Sequence, residues 1–258
     1  KLYSVLPADG VGDFDFSRNS AATRINKDGL IETVASGVSR LNYPLIDGVV
    51  NGCPSHLLEP SRTNVNQFNS DINTAWNQQA NLTNSLNQDV LAPDGTINGW
   101  KTTRNINSSG YTYITSLSLA INTEYTVSIW LKASDLTICN EVVLNFHPNS
   151  FVSSSTRFNF ETESITGNGK VKKYPNGWYR ISLTSTSNAT IGYFDIGLQP
   201  YLNGSPNWGG QDGDVVFYAY GTQVEVGSYP TSYIKTINSA VTRVAETANG
   251  AGDASTFN

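Results

Sequence analysis

The chain has 258 residues, of which 38% are hydrophobic, 11% aromatic and only 14% charged. Soluble domains carry about 25% charged residues, so this surface is expected to be polar without being ionic. Lys+Arg 16 against Asp+Glu 21 gives a net charge of −5, which speaks against a nucleic-acid partner and its basic stripe; the absence of any apolar run of about 18 residues speaks against a membrane span.

The chain starts at Lys1 and holds no Met, so it is expected to be a processed piece or ordered part of something longer. Residues 1–56 are short apolar clusters broken by Ala8-Asp9-Gly10, Lys27-Asp28-Gly29, Ile46-Asp47-Gly48 and Asn51-Gly52. Asp-Gly and Asn-Gly are strong hairpin signals. This stretch is expected to be an arm of short strands and turns, with too few apolar residues to stand alone against the entropy of ordering it. Pro54 and Pro60 mark the boundary to a domain over 57–245, and 246–258 reads as a linker to a following domain.

Period-2 runs then follow one another. Tyr111–Leu117 alternates. In Tyr125–Ala133, the residues Tyr125, Val127, Ile129 and Leu131 share the core face, so Ser128, Trp130 and Lys132 face away. Val142–Phe146 and Thr156–Phe160 are short strands. Trp178–Ser187 puts Tyr179, Ile181 and Leu183 on one side. Tyr193–Pro200 puts Phe194, Ile196 and Leu198 inward and Tyr193, Asp195 and Gln199 outward. Asp214–Gly227 is the last long run, with Phe217 and Ala219 inward, Tyr218 and Tyr220 outward, and a bulge expected at Gly221. Many short strands with regular turns and no helical period predict an all-β antiparallel jelly-roll sandwich.

Several motifs resemble a module recurrent in bacteriophage tail, fibre and spike proteins. They are Leu57-Leu58-Glu59-Pro60-Ser61-Arg62-Thr63-Asn64, Thr74-Ala75-Trp76, Ala92-Pro93-Asp94-Gly95, Asn176-Gly177-Trp178-Tyr179-Arg180, Gly221-Thr222-Gln223-Val224-Glu225, Tyr229-Pro230-Thr231-Ser232-Tyr233-Ile234 and Val241-Thr242-Arg243. The stretch Phe14–Arg24 with Asp28-Gly29-Leu30-Ile31-Glu32 is similar to the segment that precedes that module. The module is similar to carbohydrate-binding jelly rolls. The resemblance implies a virion-surface or extracellular protein whose partners are a host cell-surface glycan and other virion proteins. The arm and the low-charge surface add an expected closed homo-oligomer, a trimer or pentamer. Two other readings stand beside it: the accessory carbohydrate-binding module of a secreted polysaccharide-degrading enzyme, and a purely structural virion subunit.

Catalytic chemistry finds little support. His56 and His147 lie in no nucleophile context. Asp195, Asp214, Glu225 and the Glu161/Glu163 pair carry no motif that brings two carboxylates face to face, so the chain is expected to be non-enzymatic. Cys53 and Cys139 are expected to be separate thiols. No cofactor is expected; calcium is the one metal considered, with Glu59, Asn66, Gln223 and Glu225 as oxygen donors. A glycan site needs flat aromatics over sugar C–H faces and amides or carboxylates for hydroxyls. The candidates are Trp130, Tyr193, Asp195, Tyr218 and Tyr220 on an outward sheet face, and Tyr201 and Trp208 in the long Tyr201–Asp212 excursion. The alternative for the sheet face is burial beneath the arm or a neighbouring subunit.

Overall fold

The structure is a computed structural model that describes residues 15–67, 77–78, 81–105, 109–190, 195–206 and 210–249. The N-terminal part is a set of short strands: β1 (Asp15–Ser17), β2 (Ala22–Ile25), β3 (Ile31–Val34), β4 (Leu41–Asn42), β5 (Leu45–Ile46), β6 (Val49–Val50), β7 (Ser55–His56) and β8 (Arg62–Asn64). The Asp-Gly turns at 28–29 and 47–48 act as read, and Ala8-Asp9-Gly10 lies outside the described residues. Lys27-Asp28-Gly29 closes the β2–β3 hairpin. Asp47 (φ 49°) and Gly48 (φ 78°) join β5 to β6, and two successive positive φ values are what the tightest hairpin turn demands. A Cβ on Gly48 would lie 2.8 Å from the Tyr174 carbonyl oxygen, so glycine also permits this turn to touch the sandwich.

The sandwich comprises β9 (Asn77–Gln78), β10 (Leu82–Leu86), β11 (Trp100–Arg104), β12 (Thr112–Ile114), β13 (Glu124–Ala133), β14 (Glu141–Phe146), β15 (Ser154–Asn159), β16 (Ser164–Gly167), β17 (Lys170–Tyr174), β18 (Trp178–Thr186), β19 (Ile196–Tyr201) and β20 (Val215–Val226). One six-stranded sheet has the order β10-β11-β20-β13-β18-β17, the other β16-β15-β14-β19-β12-β9. The chain crosses between sheets at β9→β10, β11→β12, β12→β13, β13→β14, β16→β17, β18→β19 and β19→β20. The late strands β20 and β19 insert between earlier ones. All these pairs are antiparallel. This is a jelly roll.

Strand parity sets the core. Tyr125, Val127, Ile129, Leu131, Tyr179, Ile181, Leu183, Ile196, Leu198, Phe217, Ala219 and Val224 pack between the sheets, as alternation requires of a face that meets another sheet. Gly221 (φ 62°) provides the expected bulge: Ser128 pairs with Gln223, but Trp130 pairs with Tyr220. The extra residue switches parity, so Val224 returns to the core after Ala219.

A second apolar cluster lies on the outer face of the first sheet. There Trp130, Tyr174, Trp178, Tyr218, Tyr220 and Tyr233 pack with Ala92 and with Ile25 and Ile31 of the β2–β3 hairpin. The arm thus covers this face. A buried ionic cluster fastens it there. Arg18 Nη1 and Arg40 Nε both donate to Glu246 Oε1 at 2.7 Å, and Arg40 Nη2 reaches Glu246 Oε2 and, at 2.9 Å, Glu59 Oε2. Arg243 Nη1 lies 2.9 Å from the same Glu59 oxygen. The Arg18, Arg40 and Glu246 side chains are wholly buried. Two more short strands complete the junction: β21 (Val241–Arg243) pairs with β8, and β22 (Thr247–Asn249) pairs with β1. This corrects the expected linker: Glu246 and β22 belong to the fold, because β1 needs a partner strand and Arg18 and Arg40 need a carboxylate. Residues 250–258 lie outside the described residues.

Both cysteines are free thiols; Cys53 is exposed and Cys139 buried. Burial pushes the Cys139 thiol up to about 12. Since the thiolate is the nucleophile, iodoacetamide at pH 8 is expected to alkylate Cys53 in the native protein and Cys139 only after denaturation. Native labelling of both by mass spectrometry would contradict this packing.

Candidate functional site

The two sheets differ in what covers their outer faces. β13, β18 and β20 are buried on both sides along nearly their whole length. In the second sheet, β12, β14 and β15 alternate between buried and partly open residues, and β19 does so from Leu198 onward. A strand that alternates has one face on the core and one toward solvent. The outer face of the second sheet is therefore open across β12, β14, β15 and β19, whereas the first sheet is covered over β13, β18 and β20 and open along its β10–β11 edge.

Register arranges that face in rows. One row runs Ser164, Asn159, Glu141, Tyr201; the next Thr166, Arg157, Val143, Gln199; a third Ser155, Asn145, Gly197, Tyr113, Asn77. Gly197 leaves its place in the third row without a side chain beside Tyr113. Tyr111 and Tyr113 lie with ring centroids 5.7 Å apart, tilted by 59°. At the other end Arg157 stacks on Tyr201, 4.3 Å from the ring centroid. Glu141 accepts from Arg157 Nη1 at 3.2 Å, Asn159 Nδ2 at 3.1 Å and the Gly204 amide at 3.1 Å. Tyr201 donates its hydroxyl to Gln199 Oε1 at 3.4 Å. These contacts fix the rotamers before any ligand arrives, which lowers the ordering cost of binding. Chemically the face offers flat rings at both ends, with an amide, a carboxylate and a guanidinium between them.

The sequence-derived candidates divide. Trp130, Tyr218 and Tyr220 do lie on one face, as parity requires, but they are 1%, 9% and 4% exposed beneath the arm. They do not form an open platform, because Ile25 and Ile31 of the arm occupy that surface. Asp195 is fully buried. Its Oδ2 accepts the Leu117 amide at 2.9 Å, and burial raises its carboxyl above the usual range despite that bond and the nearby Ser150 and His147. It ties β19 to the loop after β12 rather than facing a ligand. Tyr201 closes β19 and lies at one end of the open face. Tyr193, Trp208, Phe194 and Trp76 fall outside the described residues. Parity had placed Gln199 outward, but Tyr113, Glu141, Asn145 and Arg157 were missed. The alternation in 141–146 and 154–159 carried the signal; it was there to read.

Three of the four residues considered for calcium, Glu59, Gln223 and Glu225, already have their side-chain oxygens engaged. Glu225 accepts from Gln223 Nε2 at 2.7 Å and from the Thr231 amide and hydroxyl at 2.8 and 2.6 Å. Glu59 takes the Ser232 amide and hydroxyl beside two guanidiniums. Burial opposes ionisation of Glu59, yet Arg243, Ser232 and Arg40 outweigh it and hold the carboxyl below its usual range. Protein cations fill the role a metal would take, so these residues do not fit calcium. Among the described residues no three His, Cys, Asp or Glu side chains cluster as metal ligands.

No protein-family model and no curated protein matches the sequence. Solved structures do. The CBM22-2 xylan-binding domain of Paenibacillus barcinonensis Xyn10C aligns with 11% identity and a TM-score of 0.42, over 64% of this chain and 98% of that one. The Clostridium thermocellum xylanase 10B fragment with CBM22-1 and GH10 modules, complexed with xylohexaose, gives 15% and 0.40 over 69% and 30%. The carbohydrate-binding module CBM6cm-2 of Cellvibrio mixtus lichenase 5A, in complex with cellotriose, gives 7% and 0.31 over 67% and 100%. These similarities are distant and assign no ligand to this chain. No helix among the described residues is long and apolar enough to cross a membrane.

Proposed function

We propose that this chain is a non-catalytic glycan-binding module that holds its ligand on the open face of the second sheet. The observation that supports this is the alternation of burial in β12, β14, β15 and β19, which leaves Tyr113 and Tyr201 at the ends of a polar row system. Sugar rings stack their C–H faces on the tyrosines, and Gln199, Asn145, Glu141 and Arg157 exchange hydrogen bonds with hydroxyls. The motifs that resemble phage tail proteins bear on a different part of the molecule. Glu59, Glu225, Thr231, Ser232 and Arg243 build the arm junction, so they speak to how the arm is attached rather than to what is bound.

The test is affinity electrophoresis and calorimetry on a panel that starts with xylan, xylohexaose and cellotriose. Retention by at least one glycan is expected. Tyr113→Ala and Tyr201→Ala are each expected to weaken it by about fivefold or more, the scale of a side chain whose truncation matters in a binding surface. Their melting temperatures should stay near wild type, because both residues are only partly buried. No retention by any glycan, or undiminished retention in both variants, would overturn the assignment.

A further inference from the structure

Pairing places Arg180 on the outer face of the first sheet, directly between Lys172 on β17 and Trp130 on β13. The residue is 8% exposed, and its contacts are to neutral groups. Nη1 donates to the Thr231 carbonyl at 2.7 Å, Nη2 to Ser128 Oγ at 2.8 Å, and the guanidinium lies 4.2 Å from the centroid of the Trp130 ring. Arg180 Nε and Trp130 Nε1 are buried atoms, and the neutral Tyr174 hydroxyl lies beside both side chains. Arg180, Lys170 and Lys172 form no ion pair with any described residue. Like charges directly opposite across a sheet are destabilising, and a buried charge is ordinarily paired.

A cleft of about 370 Å³ opens at this place, between the β2–β3 hairpin and β17, and Lys170, Lys172, Arg180, Tyr174 and Trp130 contribute to its walls. Its other charges are spoken for. Arg24 pairs with Glu32 at 2.7 Å, and Glu59 is held by Arg40, Arg243 and Ser232. The uncompensated charge facing the cleft is positive. Desolvation, with the Arg180 charge, holds the Lys172 ammonium below the usual lysine range, as expected where cations crowd without a counter-ion.

We propose that this cleft binds a carboxylate-bearing sugar, a uronate residue, with its carboxylate against Arg180 and Lys172. The volume suits a small organic ligand. The Arg180 guanidinium and the Lys172 ammonium on the cleft wall supply charge-assisted donors to a two-oxygen acceptor. Tyr174 and Trp130 supply apolar surface for the ring. This site belongs to the opposite sheet from the proposed glycan face, and neither assignment rests on the other.

Calorimetric titration of the whole chain with sodium glucuronate, sodium galacturonate, glucose and sodium sulfate tests it, alongside Lys172→Gln. A uronate is expected to bind and glucose not. The affinity should fall with added salt, and Lys172→Gln should weaken it about tenfold, the worth of one charge-assisted hydrogen bond, with no loss of melting temperature, because the substitution also removes a like-charge pair. On titration one indole N–H resonance, that of Trp130, is expected to shift in nitrogen–proton spectra. Tyr113→Ala should leave uronate binding unchanged, which separates this site from the second sheet. No uronate binding at tens of millimolar, or undiminished binding in Lys172→Gln, would overturn the site. Sulfate bound as tightly as the uronate would overturn the sugar assignment and leave a general anion site.

Discussion

Replacing Trp130 by alanine is expected to lower the free energy of unfolding by about 3–5 kcal/mol, the usual loss for a large aromatic in a packed interior. The indole sits edge-on to Tyr174, Tyr220 and Tyr233 at centroid distances of 5.5, 6.0 and 5.5 Å. A Cβ on Gly221 would already come within 3.1 Å of its ring, so the bulge leaves no slack on that side. Truncation opens a cavity that this backbone cannot close. It also removes the ring on which the Arg180 guanidinium lies, and a guanidinium without that contact is harder to keep buried. Because Ile25 and Ile31 rest on the same cluster, the arm should loosen as well, and limited proteolysis should cut within residues 22–34 sooner than in the wild type. Urea unfolding monitored by fluorescence would decide it. A loss below about 1 kcal/mol, typical of surface positions, would mean that the arm does not cover Trp130 in solution.

This burial also marks how far the sequence could be read. Alternation in 125–133, 178–187 and 214–227 predicted which residues point between the sheets, and the glycine at 221 predicted where parity would switch. Those are local signals, and the structure follows them. Alternation says only that Trp130, Tyr218 and Tyr220 point away from the core, not what they meet. What they meet is Ile25 and Ile31, about a hundred residues or more away in sequence, and no local period encodes that contact. The open face had the opposite difficulty. Glu141, Arg157 and Tyr201 are ordinary residues in their own strands, and only the pairing register of β14 with β15 and β19 brings them together. The motif residues Glu59, Glu225, Thr231, Ser232 and Arg243 lie together in one hydrogen-bonded cluster. Glu59, Asn66, Gln223 and Glu225 were read as calcium donors because spacing cannot tell a carboxylate that faces a metal ion from one that faces arginine.

Glu246→Gln is expected to destabilise the protein by about 3–5 kcal/mol at pH 7, the scale for breaking a buried ion pair by removing one partner. The amide keeps one acceptor oxygen but leaves Arg18 without its carboxylate and Arg40 with Glu59 alone. Acidification of the wild type should act in the same direction. Burial works against ionisation of Glu246, but hydrogen bonds from Arg40 and Arg18 and the Arg40 charge hold its carboxyl below the usual range, and Glu59 is lowered likewise. A carboxyl lowered in the folded state binds fewer protons than in the unfolded chain. Its stabilisation is therefore complete above the ordinary glutamate range, near pH 4.3, and is lost as the pH falls through the folded value. Asp195, raised by burial, has the opposite sign: its penalty is present once the pH is above its folded value and is relieved on acidification. The two glutamates should outweigh it, so the urea midpoint should fall from pH 6 to pH 3. In Glu246→Gln that fall should be shallower, because one of the titrating groups is gone. An equal slope in both proteins would show that the cluster is not charged as described. A steeper slope in the variant would place the acid sensitivity elsewhere.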